Sequence, residues 1–142
     1  MNQSAGVPDD VDRALAESII SFAAGGHPVE RTIQATCSCG GRTFQVLFDD
    51  EVGVAARVCA ACDDEIGMLD SDDHLDEVEE VQIATCTCGG RRFRVAVGFA
   101  FADDGELRWV SIGLSCVNDG IAGVYADWKI DYAPSRHLLD AV

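Results

Sequence analysis

Apolar and polar residues alternate in short runs through most of the chain, and one N-terminal segment has a helical period instead. From about Asp9 to Ala24, apolar residues recur at steps of four, four and three, which predicts an amphipathic helix. The positions on its apolar face are Val11, Leu15, Ile19 and Phe22. The alternating runs that follow predict β-strands, with a last strand over 124–132 and a closing helical turn over 135–139.

Two segments of the chain repeat one another. Residues 35–48 read ATCSCGGRTFQVLF and residues 84–97 read ATCTCGGRRFRVAV, so nine of fourteen positions are identical at an offset of 49. Each segment continues through a turn into a second apolar run, and Asp103-Asp104-Gly105 is a typical hairpin turn. The pattern predicts an α+β protein in which the N-terminal helix accompanies two duplicated antiparallel β-hairpin units.

This repeat predicts four segments along the chain. Residues 1–34 hold the N-terminal helix and a lead-in strand, and residues 35–72 form the first repeat. Residues 73–83 form an acidic linker, and residues 84–142 form the second repeat with a C-terminal strand and helical turn. Each unit is too small to bury a core by itself without a metal, so we expect the two repeats to share one core.

The composition narrows the function classes. In its 142 residues the chain has no apolar run of the roughly 18–20 residues that a membrane span needs, and its N-terminus lacks signal-peptide features, so we expect a cytoplasmic protein. The net charge of −15 argues against non-specific nucleic-acid binding and against anionic membranes. The stretch Asp63–Glu80 carries ten acids and no Lys or Arg. We interpret it as a solvated loop and linker, or alternatively as a surface for a basic partner.

Seven cysteines carry the chemistry that the sequence suggests. Their odd number and the missing secretory signal disfavour a disulfide framework, whereas pairs of cysteines at hairpin ends suit tetrahedral Zn²⁺. The first repeat supplies a complete set of four, Cys37, Cys39, Cys59 and Cys62. We predict a structural zinc ion there, with iron as the alternative.

The motif Cys59-Ala60-Ala61-Cys62 resembles a knuckle of the zinc-ribbon family, the rubredoxin-like treble of hairpins. Cys37-Ser38-Cys39 departs from that family, because ribbons usually place two residues between the cysteines. The resemblance spans about 37–69 and 86–125. It implies a structural metal and a binding role toward protein or nucleic acid, and it does not imply one activity.

The second repeat has a changed ligand set. It keeps Cys86, Cys88 and Cys116. Asp119 stands where the first repeat has Cys62, and it is the predicted fourth ligand. The open alternatives are that His74 or His137 completes the site, that water fills the fourth position, or that the repeat binds no metal. A position open to water would suit catalysis, but the sequence contains no catalytic motif, so we predict a protein that is not an enzyme.

Most of the basic residues lie in the second repeat, next to both tryptophans. The predicted binding residues are Arg92, Arg94, Arg108, Trp109 and Trp128. Such a patch could stack on nucleic-acid bases or on a partner's side chains. In the alternative interpretation, the tryptophans belong to a core between the repeats and the arginines pair with the acidic linker.

These observations predict a small metal-stabilised binding or adaptor protein that contacts a protein partner through tandem zinc-ribbon-like units. One alternative is an acidic inhibitor, similar to an immunity protein or antitoxin, that neutralises a basic partner. Another is a zinc ribbon that binds nucleic acid through the second repeat. The sequence identifies neither the partner nor the oligomeric state.

Overall fold

A computed structural model describes residues 10–22, 28–49 and 51–142, and it shows one helix with one antiparallel sheet. The helix α1 spans Asp10–Phe22, so the predicted ends at Asp9 and Ala24 lie outside the described residues. The strands are β1 (Arg31–Gln34), β2 (Phe44–Asp49), β3 (Val54–Cys59), β4 (Glu65–Gly67), β5 (Gln82–Ile83), β6 (Phe93–Phe101), β7 (Leu107–Cys116) and β8 (Ala122–Lys129). Short 3-10 helices span Ser71–Asp73, Leu75–Glu77 and Arg136–Asp140. The fold is therefore α+β, as predicted, and no helix in the described ranges is long and apolar enough to cross a membrane.

The sheet has the strand order β4-β3-β2-β6-β7-β8, and the two hairpins meet where Phe44 lies opposite Phe93. The two lead-in strands cross over. β1 precedes the first hairpin but pairs with β6, with Gln34 opposite Ala96. β5 precedes the second hairpin but pairs with β2, with Ile83 opposite Leu47. Each half of the sheet thus receives a strand from the other half, and the two pairings correspond at the offset of 49.

The main hydrophobic core lies on one side of this sheet and contains residues from both hairpins. Its largest fully buried side chains are Phe44, Val46, Met68, Phe93, Val95, Val97, Phe99, Ile112 and Leu114. Because Phe44 and Phe93 are paired directly, β2 and β6 turn the same side toward this core. The division of the chain into the segments 1–34, 35–72, 73–83 and 84–142 stays a prediction.

Helix α1 packs on the opposite side of the sheet, and its buried side is narrower than the sequence predicts. Leu15 and Ile19 are fully buried, whereas Val11 is 40% exposed and Phe22 is 45% exposed. Ile19 is buried because glycines on β6 and β7 form the surface beneath it and allow the helix to approach closely at that point. A Cβ atom at Gly98 or at Gly113 would lie 2.4 Å from an Ile19 carbon. The apolar contact between the helix and the sheet is therefore concentrated at Leu15 and Ile19.

The acidic stretch Asp63–Glu80 is more structured than a solvated loop. Met68 is fully buried, and the backbone amide of Met68 donates to the carbonyl of Ala55 at 2.8 Å. Asp70 is only 7% exposed and accepts a hydrogen bond of 2.9 Å from the Tyr132 hydroxyl. The apolar residues within this stretch anchor it to the core, so its solvated part is shorter than predicted. The last strand, β8, likewise differs from the predicted 124–132, because it begins and ends earlier.

Candidate metal centres

The side chains of Cys37, Cys39, Cys59 and Cys62 converge at one end of the first hairpin and form the first cluster. All their sulfur atoms lie within 4.8 Å of one another. The Sγ atoms of Cys37 and Cys62 are 3.5 Å apart, and those of Cys39 and Cys59 are 3.6 Å apart. A tetrahedral ion with bonds of about 2.3 Å to sulfur requires S–S separations of about 3.8 Å, whereas a disulfide requires about 2 Å. The cluster therefore has the size of a metal site.

The two glycines after Cys39 allow the first turn to wrap closely around the sulfur atoms. Gly40 has φ +91°, a left-handed conformation in which other residues are strained. A Cβ atom at Gly41 would lie 2.8 Å from the Cys59 sulfur, so a side chain there would displace a ligand. Gly89 and Gly90 follow Cys88 in the same way, and Gly89 also has φ +91°.

Backbone amides stabilise negative charge on the sulfurs of the first cluster. The amides of Gly41 and Ala61 lie 3.4 Å from the sulfurs of Cys39 and Cys59, respectively. The amide of Cys39 lowers the pKa of Cys37 to about 7. The amide of Asp64 also lowers the pKa of Cys62, but the neighbouring thiols outweigh it, and that pKa rises to about 12. Four ionised thiols this close together would need a cation between them, and a metal ion would supply that charge.

Cys86, Cys88, Cys116 and Asp119 form the second cluster, at the end of the second hairpin, with ligand atoms within 4.8 Å of one another. The sulfurs of Cys88 and Cys116 are 3.7 Å apart. Asp119 Oδ2 lies 3.2 Å from the Cys86 sulfur, close to the roughly 3.5 Å edge of a tetrahedron with one oxygen ligand. Both clusters are therefore positioned to bind a metal ion.

The carboxylate of Asp119 is held in a ligand orientation by the turn that contains it. Its Oδ1 accepts a hydrogen bond of 3.0 Å from the amide of Ile121, which leaves Oδ2 directed toward the thiols. That amide, with the Cys86 thiol, lowers the pKa of Asp119. Neither histidine considered as an alternative joins a cluster in the described part of the chain. His74 instead binds the Glu77 carboxylate at 2.7 Å, and His137 lies in the last 3-10 helix.

The structure separates the predicted binding residues of the second repeat. Arg94 Nη1 lies 3.1 Å from Asp12 Oδ1, beneath the N-terminal turn of α1. Trp109 donates its indole N–H to Asp127 at 2.8 Å. Trp128 is only 9% exposed and packs in the main core. The two remaining members, Arg92 and Arg108, are exposed. A binding role for this set stays a prediction.

Asp12 binds two of the arginines near the clusters, and this role was not predicted from the sequence. Its side chain is 2% exposed and forms ion pairs with both Arg42 and Arg94. The sequence signal for Asp12 is its position, three residues before Leu15, which places it on the buried side of the helix. That signal is weak, because it does not show which partners Asp12 would have. Arg42 belongs to the first repeat and Arg94 to the second, so Asp12 connects the two halves.

Comparison of the chain with protein-family models, with curated proteins and with solved structures returned no match. The metal clusters and the surface of the sheet are therefore the basis for assigning a function.

Proposed function

We propose that this chain is a non-catalytic, zinc-stabilised protein that binds a protein partner through two copies of a zinc-ribbon-like unit. The observation that carries the proposal is that each cluster offers four protein ligands around one point. Structural zinc sites are closed by four protein ligands, whereas catalytic sites keep one position for water. Two closed sites favour a role in stability and binding.

The donor set supports zinc as the metal. Seven of the eight ligand atoms are sulfurs, and tetrahedral thiolate sites select zinc or iron over the hard cations that prefer oxygen. Colour distinguishes the two metals, because ferric thiolate sites absorb visible light and Zn²⁺ does not.

The backbone supports two copies of one unit. The amide of Cys37 donates to the carbonyl of Gly41 at 2.8 Å, and that of Cys86 donates to Gly90 at the same distance. Beyond the clusters, Ala35 bonds across to β6 and Ala84 bonds across to β2, each at 2.8 Å. Such corresponding contacts are expected of a duplicated unit.

The first experiment is elemental analysis of protein purified without chelator. We expect two zinc ions per chain. Asp119→Ala should lower the content to about one, and Asp104→Ala, an exposed acid in the hairpin turn, should leave two. Iron instead of zinc would replace the proposed metal, and protein without metal would contradict the proposal.

The binding role is tested with the metal-loaded protein as bait in an extract of its native host. We expect a partner that is captured reproducibly by the metal-loaded protein and lost after chelation, because metal binding is coupled to folding. If no partner is captured under conditions in which both zinc ions are retained, the binding role is wrong.

An acidic inhibitor is the second candidate, and one observation favours it. Six acidic residues are exposed within nine positions, namely Asp72, Asp73, Asp76, Glu77, Glu79 and Glu80. A basic partner would be attracted to this concentration of charge, most strongly at low salt. Reversing four of these charges to Lys should then abolish capture of the partner, and unchanged binding at low salt would exclude this candidate.

A further inference from the structure

Helix α1 covers only one half of its side of the sheet. It packs on β1, β6, β7 and β8, and its two fully buried apolar residues are Leu15 and Ile19. Beneath them lies a shallow surface that includes Ala96, Gly98 and Gly113. At the N-terminal end of the helix, Arg42 and Arg94 hold the carboxylate of Asp12. This arrangement shows how a helix is recognised by one half of the sheet.

The other half of the same side carries apolar side chains that no helix covers within the described ranges. On β2, Phe44 and Val46 point into the main core. Because side chains alternate along a strand, Gln45 and Leu47 point to the α1 side. The residues paired with Leu47 and Gln45 share that side, and the apolar members form a surface that we call the open face: Leu47, Ala56, Val58 and Ile83. Ile83 is 43% exposed, and the other three are half-buried.

A groove of about 280 Å³ lies at the edge of the open face and is lined by Gln45, Val58, Arg91 and Arg92, among others. At the offset of 49, Arg91 corresponds to Arg42 and Gln45 corresponds to Arg94. These counterparts are the two residues that bind Asp12. The groove in the first half of the sheet therefore corresponds in position to the site that binds the Asp12 carboxylate in the second half. It lies where a carboxylate of a second helix would bind.

The charges of the groove also fit a carboxylate. Arg91 and Arg92 are exposed, and neither forms an ion pair with an acid in the described part of the chain, although the protein has a net charge of −15. Asp63 lines the same groove and Glu80 lines a neighbouring groove with Arg91, and neither carboxylate approaches the guanidinium of Arg91 or Arg92 to within ion-pair distance. Two adjacent cations beside an apolar surface are complementary to an acidic, amphipathic ligand.

We propose that the open face binds an amphipathic helix of a partner protein, with an acidic residue that pairs with Arg91 and Arg92. Apolar residues three and seven positions after this acid pack on Leu47, Val58 and Ile83, as Leu15 and Ile19 follow Asp12 in α1. This inference rests on the proposed binding function and names its surface. A second copy of the chain fits less well, because its own α1 is already buried on its own sheet.

The test uses the metal-loaded protein and a stapled helical peptide with Asp at its first position, Leu at the fourth and Ile at the eighth. A matched peptide has Lys in place of Asp. We expect saturable binding of the Asp peptide, with NMR shift changes at the open face, and about tenfold weaker binding of the Lys peptide. Arg91→Glu should reverse this preference, whereas Arg31→Glu, a charge reversal at an exposed arginine of β1 that does not line the groove, should not.

Several outcomes would overturn the inference. These are equal affinity for the two peptides, shift changes confined to another surface, or the absence of binding. A dimer that buries the open face in peptide-free protein, detected by sedimentation, would assign the surface to a second copy instead. Arg91→Glu must retain both zinc ions. If it still captures the natural partner, the binding function stands and this surface is wrong, whereas failure of the unaltered protein to capture any partner refutes the function itself.

Discussion

The contact between α1 and the sheet depends strongly on one side chain, and Ile19→Ala tests this. Ile19 is fully buried over Gly98 and Gly113, and it is one of only two apolar residues of α1 that reach full burial. Ile20 is its neighbour in the same helix and is 50% exposed. Ile20→Ala therefore removes the same atoms at a site where little apolar surface leaves water.

The expected loss follows from the atoms removed. Replacing Ile19 by Ala deletes three carbons, which at about 0.8 kcal/mol each amounts to about 2.4 kcal/mol of lost transfer free energy. The cavity adds to this loss, because the glycines beneath Ile19 have no side chains that could fill it. We expect a total decrease of about 3–4 kcal/mol in the free energy of unfolding, against less than about 1 kcal/mol for Ile20→Ala.

Urea unfolding of the metal-loaded variants, followed by circular dichroism, measures both values. Hydrogen exchange of the α1 amides then shows whether the helix opens separately or with the sheet. If both variants lose the same stability and the α1 amides are equally protected in both, then the packing of Ile19 on Gly98 and Gly113 does not hold the helix on the sheet. Gly113→Ala provides a second check, because its clash with Ile19 should be partly relieved when Ile19→Ala is also present.

Three further predictions concern contacts away from α1. Tyr132→Phe should lower the free energy of unfolding by about 1–3 kcal/mol, measured in urea, because buried Asp70 loses its 2.9 Å hydrogen bond. Gly53→Ala should lower it by about 1–3 kcal/mol, because the new Cβ would lie 2.9 Å from Trp128 and the residue has φ +86°. The hydrogen bond to a neighbouring carboxylate raises the pKa of His74, so His74→Gln should destabilise the protein at pH 5.5 and have less effect at pH 8.

Each of these predictions has its own control. Tyr125→Phe removes the hydroxyl of a half-buried tyrosine that forms no hydrogen bond with the described residues, so an equal loss there would contradict the assigned role of the Tyr132 hydrogen bond. Gly105→Ala has the same φ of +86° as Gly53 but meets no atom closer than 3.6 Å, so equal losses would contradict the predicted clash with Trp128. For His74, protonated imidazole supplies the stabilisation, which is complete below its unfolded pKa and is lost as the pH rises through the folded value. A larger effect at pH 8 would therefore contradict the assigned interaction.

The grouping of the cysteines with Asp119 into two clusters could be predicted because the information for it is local. Two residues of a tight turn lie close together in any fold that contains the turn, so the spacing of Cys37 and Cys39 already indicates a pair of ligands. Asp119 was found by alignment of the second repeat with the first, and the turn that holds Cys62 in one holds Asp119 in the other. What the sequence could not supply was the distance between the turns.

The parts of the fold that could not be predicted depend on distant partners. Helical periodicity selected Val11 together with Leu15, but only Leu15 lies over the surface that Ala96 and Gly113 form on β6 and β7. Strand alternation places Trp109 and Trp128 on strands without showing which side of each strand meets the core. Nothing local indicates that Asp12 would find arginines from both repeats.

The crossed lead-in strands impose an order on assembly during synthesis. β1 finds its partner β6 only about 60 residues later in the chain, whereas the ligands of the first cluster are complete at Cys62. A growing chain can therefore bind its first metal ion while β1 still has open hydrogen-bonding edges. An exposed edge strand is a site of aggregation, and without metal the first hairpin would stay unfolded beside β1, so we expect metal-starved synthesis to yield insoluble protein rather than a soluble apo form. We therefore expect the metal supply during translation to affect the yield of this protein, in addition to the stability of the finished fold.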